Sequence, residues 1–138
     1  MHVELIRQIS LSLENQPGAL HRAAAELARF GINIHGLSVL DSVDQGVVRL
    51  VTSDPGRTRE LLAKIGLNLM EAEVFAFELP DQPGRLAEVC RALAEGGVNI
   101  DYAYGSGRTS ANRMHMVLKA APIERAKQIF AQLPSEPA

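Results

Sequence analysis

Cys90 is the only cysteine in this 138-residue chain, so no disulfide forms within it and a reducing cytosol is its expected location. It stands among Leu86, Val89 and Leu93 at helical spacing, which predicts a buried core thiol rather than a reactive one. Blocks of like charge are absent and the formal net charge is only −2. A phosphate backbone calls for clustered Lys and Arg, so no nucleic-acid partner is expected. No apolar run approaches the ~20 residues that cross a bilayer. The start, Met1-His2-Val3-Glu4, lacks the basic and apolar stretches of a signal peptide, so no membrane partner is expected either. His2, His21, His35 and His115 stand at no metal-ligand spacing, and no Ser/His/Asp or Cys/His arrangement declares itself. Catalytic residues, metal and cofactor are therefore all expected to be absent. With 46% hydrophobic and 22% charged residues, the composition is that of a soluble globular protein and not of a disordered chain.

What the sequence does contain is a repeat. Asn15-Gln16-Pro17-Gly18-Ala19-Leu20 returns 66 positions later as Asp81-Gln82-Pro83-Gly84-Arg85-Leu86. Gly31-Ile32-Asn33-Ile34 returns at the same offset as Gly97-Val98-Asn99-Ile100. Ile9, Leu11 and Leu13 match Phe75, Phe77 and Leu79, while Val48, Leu50 and Val51 match Met114, Met116 and Val117. A register kept over so many positions is a duplication, and it divides the chain into units 1–72 and 73–138.

Each unit is legible by period. Ile9, Leu11 and Leu13 alternate with polar residues and predict a strand. Pro17-Gly18 stops it, and Leu20, Ala24, Leu27 and Ala28 follow as a helical stripe that Gly31 ends. Ile32 to Leu40 is β-rich, Asp41 to Gly46 makes a turn, and Val47 to Thr52 returns as a strand. Asp54-Pro55-Gly56 breaks that strand, Leu61, Leu62 and Ile65 mark a second helix, and Leu67 to Glu73 forms a last strand. The order β-α-β-β-α-β predicts an α+β, ferredoxin-like fold, repeated twice. Neither ~65-residue half has much core alone, so the two are expected side by side.

The second unit runs out of chain before its final strand. At the same offset Val3 to Arg7 corresponds to Leu69 to Glu73, so the N-terminal strand is expected to complete the second sheet; an open edge is the alternative.

The doubled constellation Asn/Asp-x-Pro-Gly-x-Leu, amphipathic helix, Gly-Ile/Val-Asn-Ile resembles the ACT domain family over nearly the whole chain. The resemblance implies a small ligand, a free amino acid, bound between two domains. By position, the implied ligand-binding residues are Asn15, Gly18, Ala19, Leu20, Asn33 and Ile34, with Asp81, Gly84, Arg85, Leu86, Asn99 and Ile100 in the second unit. The chemistry agrees. A helix N-terminus suits a carboxylate, glycine lets a ligand approach the backbone, and asparagine both donates and accepts. Asn15 and Asp81 are equally suited to capping their helices. The units differ where Asn15 becomes Asp81 and Ala19 becomes Arg85, which predicts two unequal sites. Asp81 would favour an ammonium and Arg85 a carboxylate.

Gly105-Ser106-Gly107-Arg108 looks like part of a phosphate loop but lies between two strands, so a hairpin loop over 105–112 is expected instead. The expected protein is thus a non-catalytic, cytoplasmic regulatory sensor. It binds a free amino acid, acts through a partner enzyme or regulator, and forms a homodimer. An ACT-fold assembly module without ligand is the alternative, and a small ferredoxin-like enzyme a more distant one.

Overall fold

Val3 and Leu5, then Ile9, Leu11 and Leu13, turn inward from odd positions of an unbroken strand, with Arg7 exposed between the two groups, and β1 spans Val3–Glu14. In this computed structural model, which describes residues 1–41, 45–108 and 111–136, the chain continues with α1 (Ala19–Arg29), β2 (Ile34–Asp41), β3 (Gln45–Thr52), α2 (Pro55–Lys64) and β4 (Leu69–Pro80). The pattern then repeats as α3 (Arg85–Glu95), β5 (Asn99–Arg108), β6 (Arg113–Ala121) and α4 (Ile123–Gln132).

Contacts divide the chain into two units: Arg7–Ala72, and Glu73–Ala138 together with Met1–Ile6. One division falls between Ala72 and Glu73, and the first six residues group with the part of the chain that follows it. The cause is continuity. β1 and β4 each cross the boundary without a break, so each supplies the opening strand of one unit and the closing strand of the other.

The Arg7–Ala72 unit orders its strands β4 start, β1, β3, β2, and a hydrogen bond of 3.4 Å from Ser12 N to Asn68 O lies beside that first pairing. Ile9 faces Leu50 and Leu11 faces Val48 across an antiparallel ladder. Its core gathers Leu11, Leu13, Ala23, Leu27, Leu50 and Leu62. α2 is closed at its N-terminus by Asp54, whose carboxylate accepts from Arg57 N at 3.0 Å, with Pro55 at the first turn.

The second unit follows the same plan: Val3–Ile6, then the Glu73–Pro80 stretch of β4, then β6 and β5. Val3 and Leu5 pack on a core of Phe75, Phe77, Leu79, Leu93, Leu118 and Phe130. The Phe130 ring lies 5.1 Å from Phe75 and 5.2 Å from Phe77.

Three details differ from the sequence reading. The offset is 66 only up to the hairpin. Phe75 faces Leu118 where Ile9 faces Leu50, so from β3 onward the equivalent residues stand 68 apart and Val48 matches Met116. The inward face of α1 is Ala23 and Leu27, and that of α3 is Val89 and Leu93, whereas Leu20 and Leu86 are exposed and Cys90 is only half-buried on the flank. Small residues at 19 and 23 line up with Leu27 one turn apart, so that stripe, rather than Leu20 with Ala24 and Ala28, meets the sheet. Finally, Gly105 to Arg108 is part of β5 and not a loop. Residues 42–44 of the first expected turn, and 109–110 of the second, lie outside the described residues.

Candidate functional site

Gly18 and Gly84 each hold a left-handed backbone, φ +88° and +91°, immediately before α1 and α3. Glycine adopts that conformation freely, which is why the chain turns from strand to helix there. Gly18 and Gly84 bring no capping side chain of their own, in contrast to Asp54 at α2. The opening N–H groups of α1 have no acceptor in their own helix, which gives this end a partial positive charge.

In the Arg7–Ala72 unit this helix end opens onto a pocket of about 450 Å³, whose lining includes Glu14, Gln16, Gly18, Ala19, Arg22 and Asn68. The rest of the wall comes from the end of β1, the start of β3 and the chain between α2 and β4. Arg22 is steadied there by a 2.9 Å bond from Nη2 to Ile65 O. The pocket thus offers a cationic guanidinium, a carboxylate, several amides and the N-terminal end of a helix.

Of the first unit's expected site residues, Gly18 and Ala19 line this pocket. Asn15 is exposed on the same loop, and Leu20 is exposed on the first turn of α1. Asn33 and Ile34 are not brought to it. They follow the C-terminal end of α1, whose 11 residues span roughly 16 Å, so the two halves of the motif lie at opposite ends of the helix. Asn33 N donates to Ser53 Oγ at 2.9 Å, and Asn33 O accepts from Ser53 N at 2.9 Å.

The second unit has the same layout with different occupants. Asp81 N bonds Asn112 O at 2.9 Å, Gly84 begins the turn and Leu86 is exposed. Arg85 is paired with Glu88 of its own helix. At the opposite end, half-buried Ile100 follows Asn99, whose amide donates to Asp101 at 2.9 Å; Lys119 donates to the other Asp101 oxygen at 2.8 Å. The Lys119 and Asn99 hydrogen bonds hold the Asp101 carboxyl below its ordinary pKa, and the Asp101 bond raises that of Lys119.

Sequence reasoning missed Glu14, Arg22, Gln45 and the Ile65–Asn68 segment. Arg22 carried a usable signal, since it falls one turn after Ala19 on the helix that the Pro-Gly step begins. The α2–β4 segment carried none, because only tertiary folding brings it there. Among the described residues no helix is long and apolar enough to cross a membrane, and no group of three or more His, Cys, Asp or Glu side chains is placed to hold a metal ion.

Comparison with known proteins agrees with this architecture. No curated protein sequence matches the chain. Protein BT0572 from Bacteroides thetaiotaomicron superposes with a TM-score of 0.88 at 26% identity, covering 94% of this chain and 89% of that one. The ligand-free regulatory subunit of aspartate kinase from Thermus thermophilus shares the fold with a TM-score of 0.67 at 21% identity, covering 96% and 97%. The corresponding subunit from Thermus flavus gives 0.63 at 24% identity, covering 96% of each chain. The family profile described as an ACT domain pair matches residues 4–133, and the chain belongs to that family.

Proposed function

We propose that this protein is a regulatory module that binds a free amino acid at the Pro17–Gly18 end of α1 and passes the signal to a partner enzyme or regulator, without catalysing a reaction. The observation that carries this reading is the 450 Å³ pocket in which the N-terminal end of α1 and Arg22 stand with Glu14. A zwitterion has complementary needs: its carboxylate suits the helix end or the guanidinium, and its ammonium suits a carboxylate. Each such charge-assisted bond contributes roughly 1.5–3 kcal/mol. Because α1 separates the two ends of the motif, a ligand that also touches an asparagine of the Asn33 type draws it from another ACT domain. The regulatory aspartate kinase subunits of the same fold support the role.

The test is a thermal-shift screen against the twenty common amino acids. A ligand present at ~100 times its Kd stabilises by about 2.7 kcal/mol, a shift of several degrees for a chain of this size. The expected result is a selective shift that Arg22→Ala weakens at least tenfold in affinity. No shift with any amino acid would remove the ligand class.

A second reading, an assembly module, is favoured by the edge strand β2. There Val39 and Leu40 are each 51% exposed and Leu37 is 45% exposed, beside Val47 on β3. Exposed apolar edges invite pairing with another chain. Wild-type protein is then expected to sediment as a dimer, and Val39→Lys with Leu40→Lys as a monomer. A wild-type chain that remains monomeric at high concentration would remove this reading.

A further inference from the structure

Equivalent residues of α1 and α3 stand in the walls of two spaces of very different size. In the second unit Arg85, Glu88, Val89, Leu133 and Pro134 are among the residues that line a pocket of only about 20 Å³. Their counterparts Ala19, Arg22, Ala23, Ile65 and Gly66 line the pocket of about 450 Å³. Part of the difference lies in the side chains, and Met1, whose ammonium donates to Leu133 O, stands in the second wall as well. Arg85 replaces the methyl group of Ala19, Val89 replaces Ala23, and Pro134 replaces Gly66. The Arg85 side chain lies inside, only 17% exposed, with its guanidinium on the Glu88 carboxylate. Among the described residues, Arg85 Nε is a buried side-chain nitrogen without a hydrogen-bond partner. A guanidinium optimised only for the surface would keep that N–H in water, because leaving it buried and unmatched is costly. Charge is also transposed. The wall position that carries Glu88 in the second unit carries Arg22 in the first.

We propose that the second pocket carries its own occupant: Arg85, held by Glu88, fills the volume that stands open in the first unit, so that one chain takes one ligand, at Arg7–Ala72. This rests on reading the open pocket as the ligand site. The chemical class that the second pocket accepts is accordingly a cation of guanidinium type, supplied by the chain itself.

Removing the plug should leave a hole shaped for such a cation. Thermal unfolding of Arg85→Ala is measured with millimolar ethylguanidinium chloride and with sodium chloride at the same concentration. Arg85→Ala is expected to gain several degrees over the sodium control and the wild type nothing, and adding Glu88→Gln to Arg85→Ala should abolish the gain. If Arg85→Ala does not fold, Arg85→Ser takes its place, since it is nearly as short, suits a first helical turn and leaves the same space open. The reciprocal transplant, Ala19→Arg with Arg22→Glu, should close the first pocket. Calorimetry with whichever amino acid shifts the wild type should then fall from one site per chain to none. A folded Arg85 variant with no gain from ethylguanidinium, or a wild-type titration that saturates at two per chain, overturns the proposal. If no amino acid binds the wild type, the functional reading fails, while the ethylguanidinium measurement still decides whether Arg85 fills the second pocket.

Discussion

Phe130→Ala is expected to destabilise the protein by about 3–5 kcal/mol, read from urea denaturation followed by circular dichroism. The ring is buried and stacks at a tilt against Phe75 and Phe77, at 5.1 and 5.2 Å. Its loss removes buried apolar area, leaves a cavity that the sheet cannot collapse into, and abolishes two aromatic pairs worth roughly 0.5–1.5 kcal/mol each. Single domains are stable by only about 5–15 kcal/mol, so this one change consumes a large part of the margin. The equivalent first-unit residue is Leu62, equally buried but without aromatic neighbours in its core, and Leu62→Ala should cost less. Phe130→Leu should restore most of the stability by refilling the hole. A Phe130→Ala loss below about 1 kcal/mol would mean that this core is not packed as described.

Deleting Met1 to Ile6 should damage the unit to which those residues are not contiguous in sequence. Val3 and Leu5 are half-buried against the Phe75–Phe130 core, and their strand borders β4 from Glu73 onward. Their loss removes roughly 2–3 kcal/mol of apolar burial and bares a row of backbone groups along β4, so lower solubility should accompany lower stability. Leu5→Asp should reproduce the loss without shortening the chain, and Glu4→Gln, on an exposed residue, should leave the urea midpoint unchanged. Unaltered midpoint and solubility in the deletion would show that the strand is dispensable.

Sequence periodicity reached the element order, the doubled unit and the fourth strand of the second sheet, because each rests on alternation or on a repeated turn that any close copy must keep. It placed the hairpin equivalences two residues off. The insertion lies between two strands of similar composition, and only the pairing of Phe75 with Leu118 reveals it. Helix α1 was read with the wrong stripe for a related reason. Leu20, Ala23, Ala24, Leu27 and Ala28 offer two overlapping apolar faces, and the choice between them is made by the sheet. The Pro-Gly half of the candidate site was legible as a motif. The other wall of the pocket, from Ile65 to Asn68, was not, because about 50 residues separate it from Gly18 and nothing local marks it. Arg85 was visible as a departure from the repeat, but its sequence suggests a hand extended to a ligand, and the folded chain turns that hand to Glu88.

The exchange of closing strands between units sets an order on how the chain is made. A ribosome delivers Val3 to Ile6 early, yet the neighbours of this segment in β4 are synthesised only after the whole of Arg7–Ala72 has emerged. The Arg7–Ala72 unit can close from its own residues as soon as β4 begins. The other waits for the whole stretch from Glu73 to α4, and its first strand has no partner until β4 is made. Contacts between residues so distant in sequence are slow to form, because the loop they close is long. The second unit should therefore be the later to acquire its structure, and the nascent Val3–Ile6 strand the place where a holding chaperone has something to hold.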